Sequence, residues 1–242
     1  GLSACGSTPR SPANRGTGAA SRHSTDTAVA DLYPAILAKN IHDLTDKVRR
    51  AEGFAPFLHI DIADGTYVPT RTVTADALMR VAPTVPFELH LMVQSPGAVL
   101  DQWLATEPYR ILFHPEADEN ARGTLQRIRD ARKEAGVVLT QRTANHDCAS
   151  YNGLLNQITL LTVVAGYQGG GLEWALLEHA ARIVALYGVP IEIDGGINER
   201  TVEGVLTTCH PARLTSGSAI WQAANSAAMY QTLAEAASRI VS

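Results

Sequence analysis

Residues 57–65 have the sequence Phe-Leu-His-Ile-Asp-Ile-Ala-Asp-Gly. Side chains of a β-strand alternate between two faces, so this stretch separates into an apolar row and a second row that contains His59 and Asp61. A half-buried strand normally buries its apolar row and exposes its polar row to water. Here the second row carries metal-ligand and proton-transfer side chains, which predicts that it faces a functional interior.

Two later stretches have the same arrangement. Residues 87–92, Phe-Glu-Leu-His-Leu-Met, place His90 on the row opposite the apolar positions, and residues 191–196, Ile-Glu-Ile-Asp-Gly-Gly, place Asp194 likewise. Three strands that each carry a His or Asp near their end suit a parallel barrel. In such a barrel aliphatic rows lie under helices, and a few polar groups gather at the mouth, where the active site lies.

The composition bounds both the fold and the partners. The 242 residues suffice for one (β/α)8 barrel, and 45% hydrophobic with 18% charged residues is ordinary for a globular protein. The net charge of −4 gives no reason to expect nucleic acid or an anionic membrane as a partner, and no apolar run approaches the roughly 18 residues of a membrane span. The cysteines, Cys5, Cys148 and Cys209, lack CxxC spacing, which favours a reducing compartment, most simply the cytoplasm.

The first 30 residues differ in composition from the rest of the chain. They consist mainly of Ser, Ala, Gly, Thr and Arg without apolar periodicity, and Asp26 is the one acidic residue among them. We predict a disordered extension over residues 1–30 and a barrel domain over residues 31–242. A segment rich in Ser and Arg and poor in acids also has the composition of an organelle transit peptide, so an organelle is the alternative location.

From Leu32 onward, strand-like and helix-like segments alternate eight times, which is typical of a closed parallel barrel. Asn40 is expected to cap the first helix, and Gly53 and Gly136 are expected to end two helices. Besides the strand within residues 57–65, the predicted strands are 32–38, 87–92, 110–114, 137–140, 158–164, 190–194 and 213–216. Among the predicted helices are one at 148–155 and one long helix at 172–186.

Four inward-facing residues supply a candidate metal site. His59, Asp61, His90 and Asp194 offer two imidazole nitrogens and two carboxylates, a set that suits Zn²⁺ or another divalent first-row metal. Any one of them alone could be an ordinary hydrogen-bonded group near a strand end. Four together on the inward rows favour a metal and proton-transfer site.

Five motifs resemble, in the same order, those of the ribulose-phosphate 3-epimerase family, and the resemblance extends from about Leu32 to the C-terminus. They are His59-Ile-Asp61-Ile-Ala-Asp64-Gly-Thr-Tyr67-Val-Pro69, His90-Leu-Met92-Val, Phe113-His114-Pro115-Glu116, Ile193-Asp194-Gly195-Gly196 and Gly217-Ser218-Ala219-Ile220. The resemblance implies a TIM barrel in which the four candidate ligands hold one divalent ion per chain. This ion is usually zinc, and Fe²⁺, Mn²⁺ or Co²⁺ would also fit.

The resemblance also implies that Asp61 and Asp194 are the acid and base of the reaction. Inverting a carbon next to a carbonyl requires removal of a weakly acidic proton and return of a proton to the opposite face, which takes two proton carriers. A cation stabilises the enediolate between the two steps. His114 and Glu116 match a family motif and are expected to support the site by hydrogen bonds.

Glycine-rich loops follow three of the predicted strands. Glycines at such junctions often serve only to permit tight turns, but these fit the family pattern, in which loop N–H groups bind the substrate phosphate. The predicted substrate and phosphate contacts are Met92, Gly166, Gly169, Gly170, Gly195, Gly196, Gly217 and Ser218.

The chain departs from the family pattern in the lining of the site. Ala35 stands where the family usually has serine, and Ala63 stands where it has methionine. Val164 and Gly170 lie in an altered segment after the sixth strand. These changes leave the metal ligands and the acid–base pair in place, so they bear on the substrate more than on the reaction type.

The leading hypothesis is metal-dependent C3 epimerisation of a ketose phosphate, most simply D-ribulose 5-phosphate to D-xylulose 5-phosphate. A second hypothesis keeps this chemistry but uses another substrate, such as allulose 6-phosphate or a sugar phosphate of a specialised pathway. A third is a non-catalytic barrel that binds a phosphorylated ligand. The expected partner is a small sugar phosphate, and a second copy of the chain in a homo-oligomer is compatible with the sequence.

Overall fold

The computed structural model describes residue 1, residues 30–167 and residues 171–239. In this part of the chain, eight parallel strands form a closed barrel in sequence order, and the last strand pairs with the first. The strands are β1 (Asp31–Leu37), β2 (Leu58–Ala63), β3 (Phe87–Met92), β4 (Arg110–Phe113), β5 (Glu134–Leu139), β6 (Gln157–Leu161), β7 (Ile191–Asp194) and β8 (Arg213–Ser216). The predicted (β/α)8 fold is confirmed, whereas the predicted disordered extension lies outside the described residues except for its two end residues.

Helices connect the strands and cover the barrel. They are α1 (Ile41–Ala51), α2 (Ala75–Val81), α3 (Pro96–Leu104), α4 (Ala121–Asp130), α5 (Trp174–Leu177), α6 (Ala180–Tyr187), α7 (Val202–Cys209), α8 (Ser218–Trp221) and α9 (Ser226–Ala237). Asn40, Thr74, Asn120 and Asn225 each accept a hydrogen bond from the backbone N–H three residues later. These bonds satisfy an N–H that the first helical turn leaves unpaired. No helix of the described residues has the length and apolar character needed to cross a membrane.

Two of the predicted helices are wrong in detail. Residues 172–186 contain two short helices, α5 and α6, because the N–H of His179 bonds to the carbonyl of Leu176 in a tighter turn that interrupts the α-helical pattern. Residues 148–155 contain only a single 3₁₀ turn, Ala149–Tyr151. The φ of Gly153 is +78°, outside the helical region, so a helix cannot continue through it.

Gly136 does not end a helix, contrary to the prediction, but lies inside β5. A Cβ atom at this position would lie 2.6 Å from Cδ2 of Leu112 and 2.8 Å from the carbonyl oxygen of Gln157. Glycine is therefore needed here because groups from the two neighbouring strands fill the space that a side chain would take.

The strands bury their aliphatic row and direct their polar row into the barrel, as the alternation predicts. Ile60, Leu89 and Ile193 are fully buried in the main core, and each such side chain stabilises the fold by about 1.5–3 kcal/mol relative to exposure. The register of β2 and β3 places Asp61 directly beside His90. The polar rows therefore meet at the carboxyl end of the barrel, where active sites of this fold lie.

Candidate active site

Four side chains from β2, β3 and β7 meet inside the barrel. One nitrogen or oxygen atom from each of His59, Asp61, His90 and Asp194 lies within 4.8 Å of the others, and all four residues are buried. The histidines have no solvent exposure, whereas Asp61 and Asp194 retain 7% and 5%. The fold thus brings together the four residues that the sequence suggested as metal ligands.

The ligand atoms face a common point. Nδ1 of His90 lies 3.0 Å from Oδ1 of Asp61 and 3.2 Å from Oδ2 of Asp194. Nε2 of His59 lies 3.4 Å and 3.7 Å from the same two oxygens, and it is buried with no hydrogen-bond partner among the described residues. An unpaired buried nitrogen costs free energy unless another group binds it. This orphaned nitrogen and the two-nitrogen, two-carboxylate donor set fit a divalent first-row ion.

Electrostatic coupling sets the protonation of this cluster. Burial would lower the pKa of the histidines, but the nearby carboxylates of Asp194 and Asp61 outweigh it, so the pKa of His90 rises to about 9 and that of His59 rises well above its ordinary value. Burial would raise the pKa of Asp61, but hydrogen bonds to both histidines hold it well below its usual range. The raised pKa values mean that a cation binding to the two imidazoles competes with protons there.

The adjacent strand fixes the carboxylate of Asp194. Oγ1 of Thr215 donates a short hydrogen bond to Oδ1 of Asp194, and the register of β7 and β8 pairs the two residues directly. Oδ2 is left facing the histidines. The hydroxyl of Thr162 also donates to the backbone carbonyl of Asp194, at 3.0 Å. Both the side chain and the backbone of this residue are therefore held in place.

His114 and Glu116 lie behind His90. Nε2 of His114 lies 3.0 Å from Nε2 of His90, and Nδ1 of His114 lies 3.6 Å from Oε1 of Glu116. The phenol of Tyr67 donates to the same Glu116 oxygen at 2.8 Å, and its ring packs against His114 in a tilted arrangement at a centroid distance of 4.8 Å. Burial, opposed by Glu116, lowers the pKa of His114, so a neutral imidazole lies next to His90.

An open cavity adjoins the ligands. Besides Asp61, His90 and Asp194, its lining includes six of the predicted substrate contacts, Met92, Gly166, Gly195, Gly196, Gly217 and Ser218. The remaining two, Gly169 and Gly170, lie outside the described residues. Within the described part of the chain, no group accepts a hydrogen bond from the backbone N–H of Gly196, Gly217 or Ser218. These donors are thus available to a ligand in the cavity.

Comparison with known proteins decides the family. The model of the ribulose-phosphate 3-epimerase family matches residues 31–221. The chain belongs to this family. Ribulose-phosphate 3-epimerase of Mycobacterium bovis is 29% identical over 183 residues, covering 71% of this chain and 78% of the relative. That of Bacillus subtilis is 27% identical over 199 residues, covering 78% and 91%. The predictions of the family and of its isomerase class are confirmed.

Solved structures with similar folds are more distant in sequence from this epimerase-family chain. A 3-hexulose-6-phosphate synthase has a TM-score of 0.64 at 15% identity, covering 86% of this chain and 98% of that chain. An N-(5'-phosphoribosyl)anthranilate isomerase from Pyrococcus furiosus has a TM-score of 0.61 at 12% identity with the same coverage. At such identities the likeness supports the barrel fold alone.

Two of the four departures of this epimerase-family member lie at the cavity, and a third, Gly170, lies outside the described residues. Ala35 and Val164 line the cavity. Ala63 is buried in a small apolar cluster with Val68 and Met92. Val164 is 69% exposed, at the open side of the site. Alanine and valine at these positions make this part of the cavity wall apolar.

Sequence reasoning missed three residues that contact the ligands or their partners. Oε1 of Glu88 lies 2.8 Å from Nδ1 of His59, Nη1 of Arg110 lies 2.5 Å from Oε2 of Glu88, and Thr215 holds Asp194. Burial would raise the pKa of Glu88, but the hydrogen bond with His59 and the charge of Arg110 lower it to about 2. Glu88 could have been noticed because it occupies the inward row of its strand, whereas no local pattern marks Arg110 or Thr215.

Proposed function

We propose that this chain epimerises a ketose phosphate at C3, most simply D-ribulose 5-phosphate to D-xylulose 5-phosphate, with Asp61 and Asp194 as the acid and base. The observation that carries the proposal is the convergence of these carboxylates from β2 and β7. Oxygens of both approach the same nitrogen of His90, and both residues line the cavity. Two carboxylates on different strands can reach a carbon between them from opposite sides.

In this mechanism one aspartate removes the proton from C3 and the other returns a proton to the opposite face. Each residue must carry a proton in one half of the reaction and accept one in the other. Thr215 holds Oδ1 of Asp194, so Oδ2 is the oxygen that remains for this work. His90 lies within 3.2 Å of both carboxylates, and it fixes their orientation relative to each other.

His59, Asp61, His90 and Asp194 would hold one divalent ion, which we propose to be Zn²⁺. When bound, such an ion polarises the substrate carbonyl and stabilises the negative charge that develops on the neighbouring oxygens. His114 and Glu116 are proposed to orient His90 from behind.

The phosphate group would bind in the same cavity, at the loops that follow β7 and β8. The backbone N–H groups of Gly196, Gly217 and Ser218 supply donors there, and no Lys or Arg is among the described residues of the lining. Backbone donors at loop and helix starts are a common way to bind phosphate in this fold. Gly166 lines the same cavity, and its carbonyl oxygen accepts a hydrogen bond from Oγ1 of Thr70 at 2.6 Å, which ties this part of the wall to the loop after β2.

The curated relatives support this assignment because they are named ribulose-phosphate 3-epimerases. A second candidate is the same reaction on another sugar phosphate. It is favoured by the altered lining, since Ala35 and Val164 both face the cavity that the sugar would occupy. A cytoplasmic location remains a proposal, supported by the buried, unpaired Cys148 and Cys209, and a homo-oligomer also remains a proposal.

The test is C3 epimerisation of a panel of ketose phosphates in D₂O. We expect solvent deuterium at C3 of the product, because the returned proton comes from a carboxyl group that exchanges with solvent. Asp61→Asn and Asp194→Asn should each lower kcat by about 10²–10⁴ or more. Either variant should retain some exchange on one face without inversion.

Asp46→Asn is the matched control, since this carboxylate lies on the exposed side of α1 and pairs with Arg50. It should keep wild-type kcat. Inversion at near wild-type rate in either active-site variant would refute the mechanism. Equal turnover of the free ketose and its phosphate would refute the phosphate site.

A further inference from the structure

A buried carboxylate contacts the side of His59 that faces away from the metal site. Oε1 of Glu88 lies 2.8 Å from Nδ1 of His59, and both side chains are fully shielded from solvent. The register of β2 and β3 pairs the two residues directly, so the contact is built into the strands. Oε1 of Glu192 is 3.9 Å from the same nitrogen, beyond hydrogen-bond distance, and accepts the hydroxyl of Thr159 instead.

This contact decides which nitrogen of His59 carries a proton. A carboxylate can only accept a hydrogen bond, so Nδ1 must be the N–H donor. In the neutral imidazole that a metal requires, Nε2 then carries a free lone pair. Nε2 is the nitrogen that lies near Asp61 and Asp194 without a hydrogen-bond partner in the described chain.

Arg110 fixes the carboxylate in turn. Its Nη1 lies 2.5 Å from Oε2 of Glu88, while its Nε and Nη2 lie 2.8 Å and 2.7 Å from Oε2 of Glu134. Glu88 is fully buried, and the side chain of Glu134 is 29% exposed. Arg110 therefore joins an interior carboxylate beside the ligand to a second carboxylate nearer to solvent.

We propose that Glu88, held by Arg110, is a positioning residue that fixes His59 in the tautomer and orientation needed to bind the ion. This inference rests on the metal site of the proposed function. In the described part of the chain, the outer nitrogen of His90 contacts no carboxylate and instead faces the neutral ring of His114. The outer nitrogens of the two histidine ligands thus contact different groups, a carboxylate for His59 and an imidazole for His90. Substitutions at Glu88 therefore act on His59.

Glu88→Gln tests the tautomer directly. A glutamine has one carbonyl oxygen for two competing donors, Arg110 and His59. The charged guanidinium forms the stronger bond, so the amide NH₂ of the glutamine turns toward His59. Nδ1 must then accept, and the proton moves to Nε2, where it blocks the ion. Loss of an outer partner of a metal-bound histidine typically weakens metal binding 10–100-fold.

Adding Arg110→Met should reverse much of this effect. Without the guanidinium, the carbonyl of the introduced glutamine is free to accept from Nδ1 of His59. The double variant should therefore bind the ion more tightly than Glu88→Gln alone. A purely structural role predicts the opposite, because removing two buried polar groups damages packing more than removing one.

Glu134→Gln is the matched control. It changes the other carboxylate on the same Arg110 but does not touch His59, so its metal affinity should equal that of the wild type. The Glu88→Gln protein should remain folded because Arg110 keeps Glu134 as its partner, and circular dichroism of each metal-free variant checks this.

The experiment is a Zn²⁺ titration of the metal-free proteins against a competing chelator, with ¹⁵N NMR of the histidine rings to assign the His59 tautomer at a pH above its raised pKa, where the ring is neutral. In Glu88→Gln we expect a 10–100-fold weaker Zn²⁺ affinity and a proton on Nε2 of His59. In the double variant we expect the affinity to recover partly and the proton to return partly to Nδ1. A wild-type chain that takes up no ion would overturn the metal site and this inference together. A wild-type chain that binds one ion, with a Glu88→Gln variant of equal affinity and unchanged tautomer, would overturn the inference alone.

Discussion

Replacing Gly195 by alanine should destabilise the barrel and move the catalytic carboxylate. Gly195 directly follows Asp194 and has a φ of +92°. A Cβ atom there would lie 2.4 Å from Cγ2 and 2.9 Å from Cγ1 of Val163. Valine is stiff about χ1, so it cannot rotate both methyl groups away.

The expected loss can be estimated from these two terms. A left-handed backbone conformation costs a residue with a Cβ about 1–2 kcal/mol, and overpacking costs about 1–3 kcal/mol. Together they amount to roughly 2–5 kcal/mol. Since 1 kcal/mol lowers Tm by about 2–4 °C in a domain of this size, Tm should fall by on the order of 10 °C. A shift of Asp194 by about 1 Å should lower kcat about 10²-fold.

Gly188→Ala separates the two terms. Gly188 also has a positive φ, +63°, but a Cβ there would meet no atom within 4 Å. This control should lose only the backbone contribution, about 1–2 kcal/mol, and should keep kcat. The assay is urea and thermal unfolding followed by circular dichroism, together with epimerase kinetics on the folded proteins. If Gly195→Ala and Gly188→Ala had the same Tm and kcat, the argument from the Val163 contact would be wrong.

Three further outcomes are expected. Thr215→Val removes the hydroxyl that holds Asp194, a bond to a carboxylate worth about 1.5–3 kcal/mol, so kcat should fall about tenfold or more and Tm should fall by about 3–12 °C; unchanged kcat would contradict this role. Burial would raise the pKa of Asp64, but the backbone N–H groups of Gln94, Thr66 and Tyr67 lower it. The Asp64 carboxylate therefore stabilises the fold at pH values above its pKa of about 3.9 in the unfolded chain. This stabilisation disappears as the pH falls through the lower pKa of the folded state. The free energy of unfolding of Asp64→Asn, measured with urea, should consequently change less with pH between about 5 and 2 than that of the wild type. Equal pH dependence in the two proteins would contradict this prediction. Removal of the ion by a chelator should lower Tm without loss of the far-ultraviolet circular dichroism signal. An ion present at 100 times its Kd adds only about 2.7 kcal/mol to the free energy of unfolding, and the barrel has its own core. A metal-free chain that is unfolded would contradict this prediction.

The sequence by itself determined the barrel and the inward direction of the candidate ligands. Both follow from local rules, since the side-chain period of two fixes which face each residue occupies. His59 and Asp61 share a face whatever lies around β2. Helix starts at residues such as Asn40 were likewise predictable, because a cap bonds to an N–H only three residues away.

Local signals failed where a distant group decides the conformation. Gly136 resembles a helix end in the sequence, yet it lies inside β5 because Leu112 and the carbonyl of Gln157 fill the space beside it. The predicted helix at 172–186 divides because a tight turn at His179 interrupts it. Residue type alone does not report the volume left by neighbouring strands.

Only the tertiary structure decided what holds the ligands. The contacts of Glu88 with His59 and of Thr215 with Asp194 depend on the register between neighbouring strands. A shift of one residue in either pairing would turn the supporting side chain to the opposite face of its strand. Register is set by the closure of the whole barrel and its core, so the ligands could be found from the sequence but the residues that hold them could not.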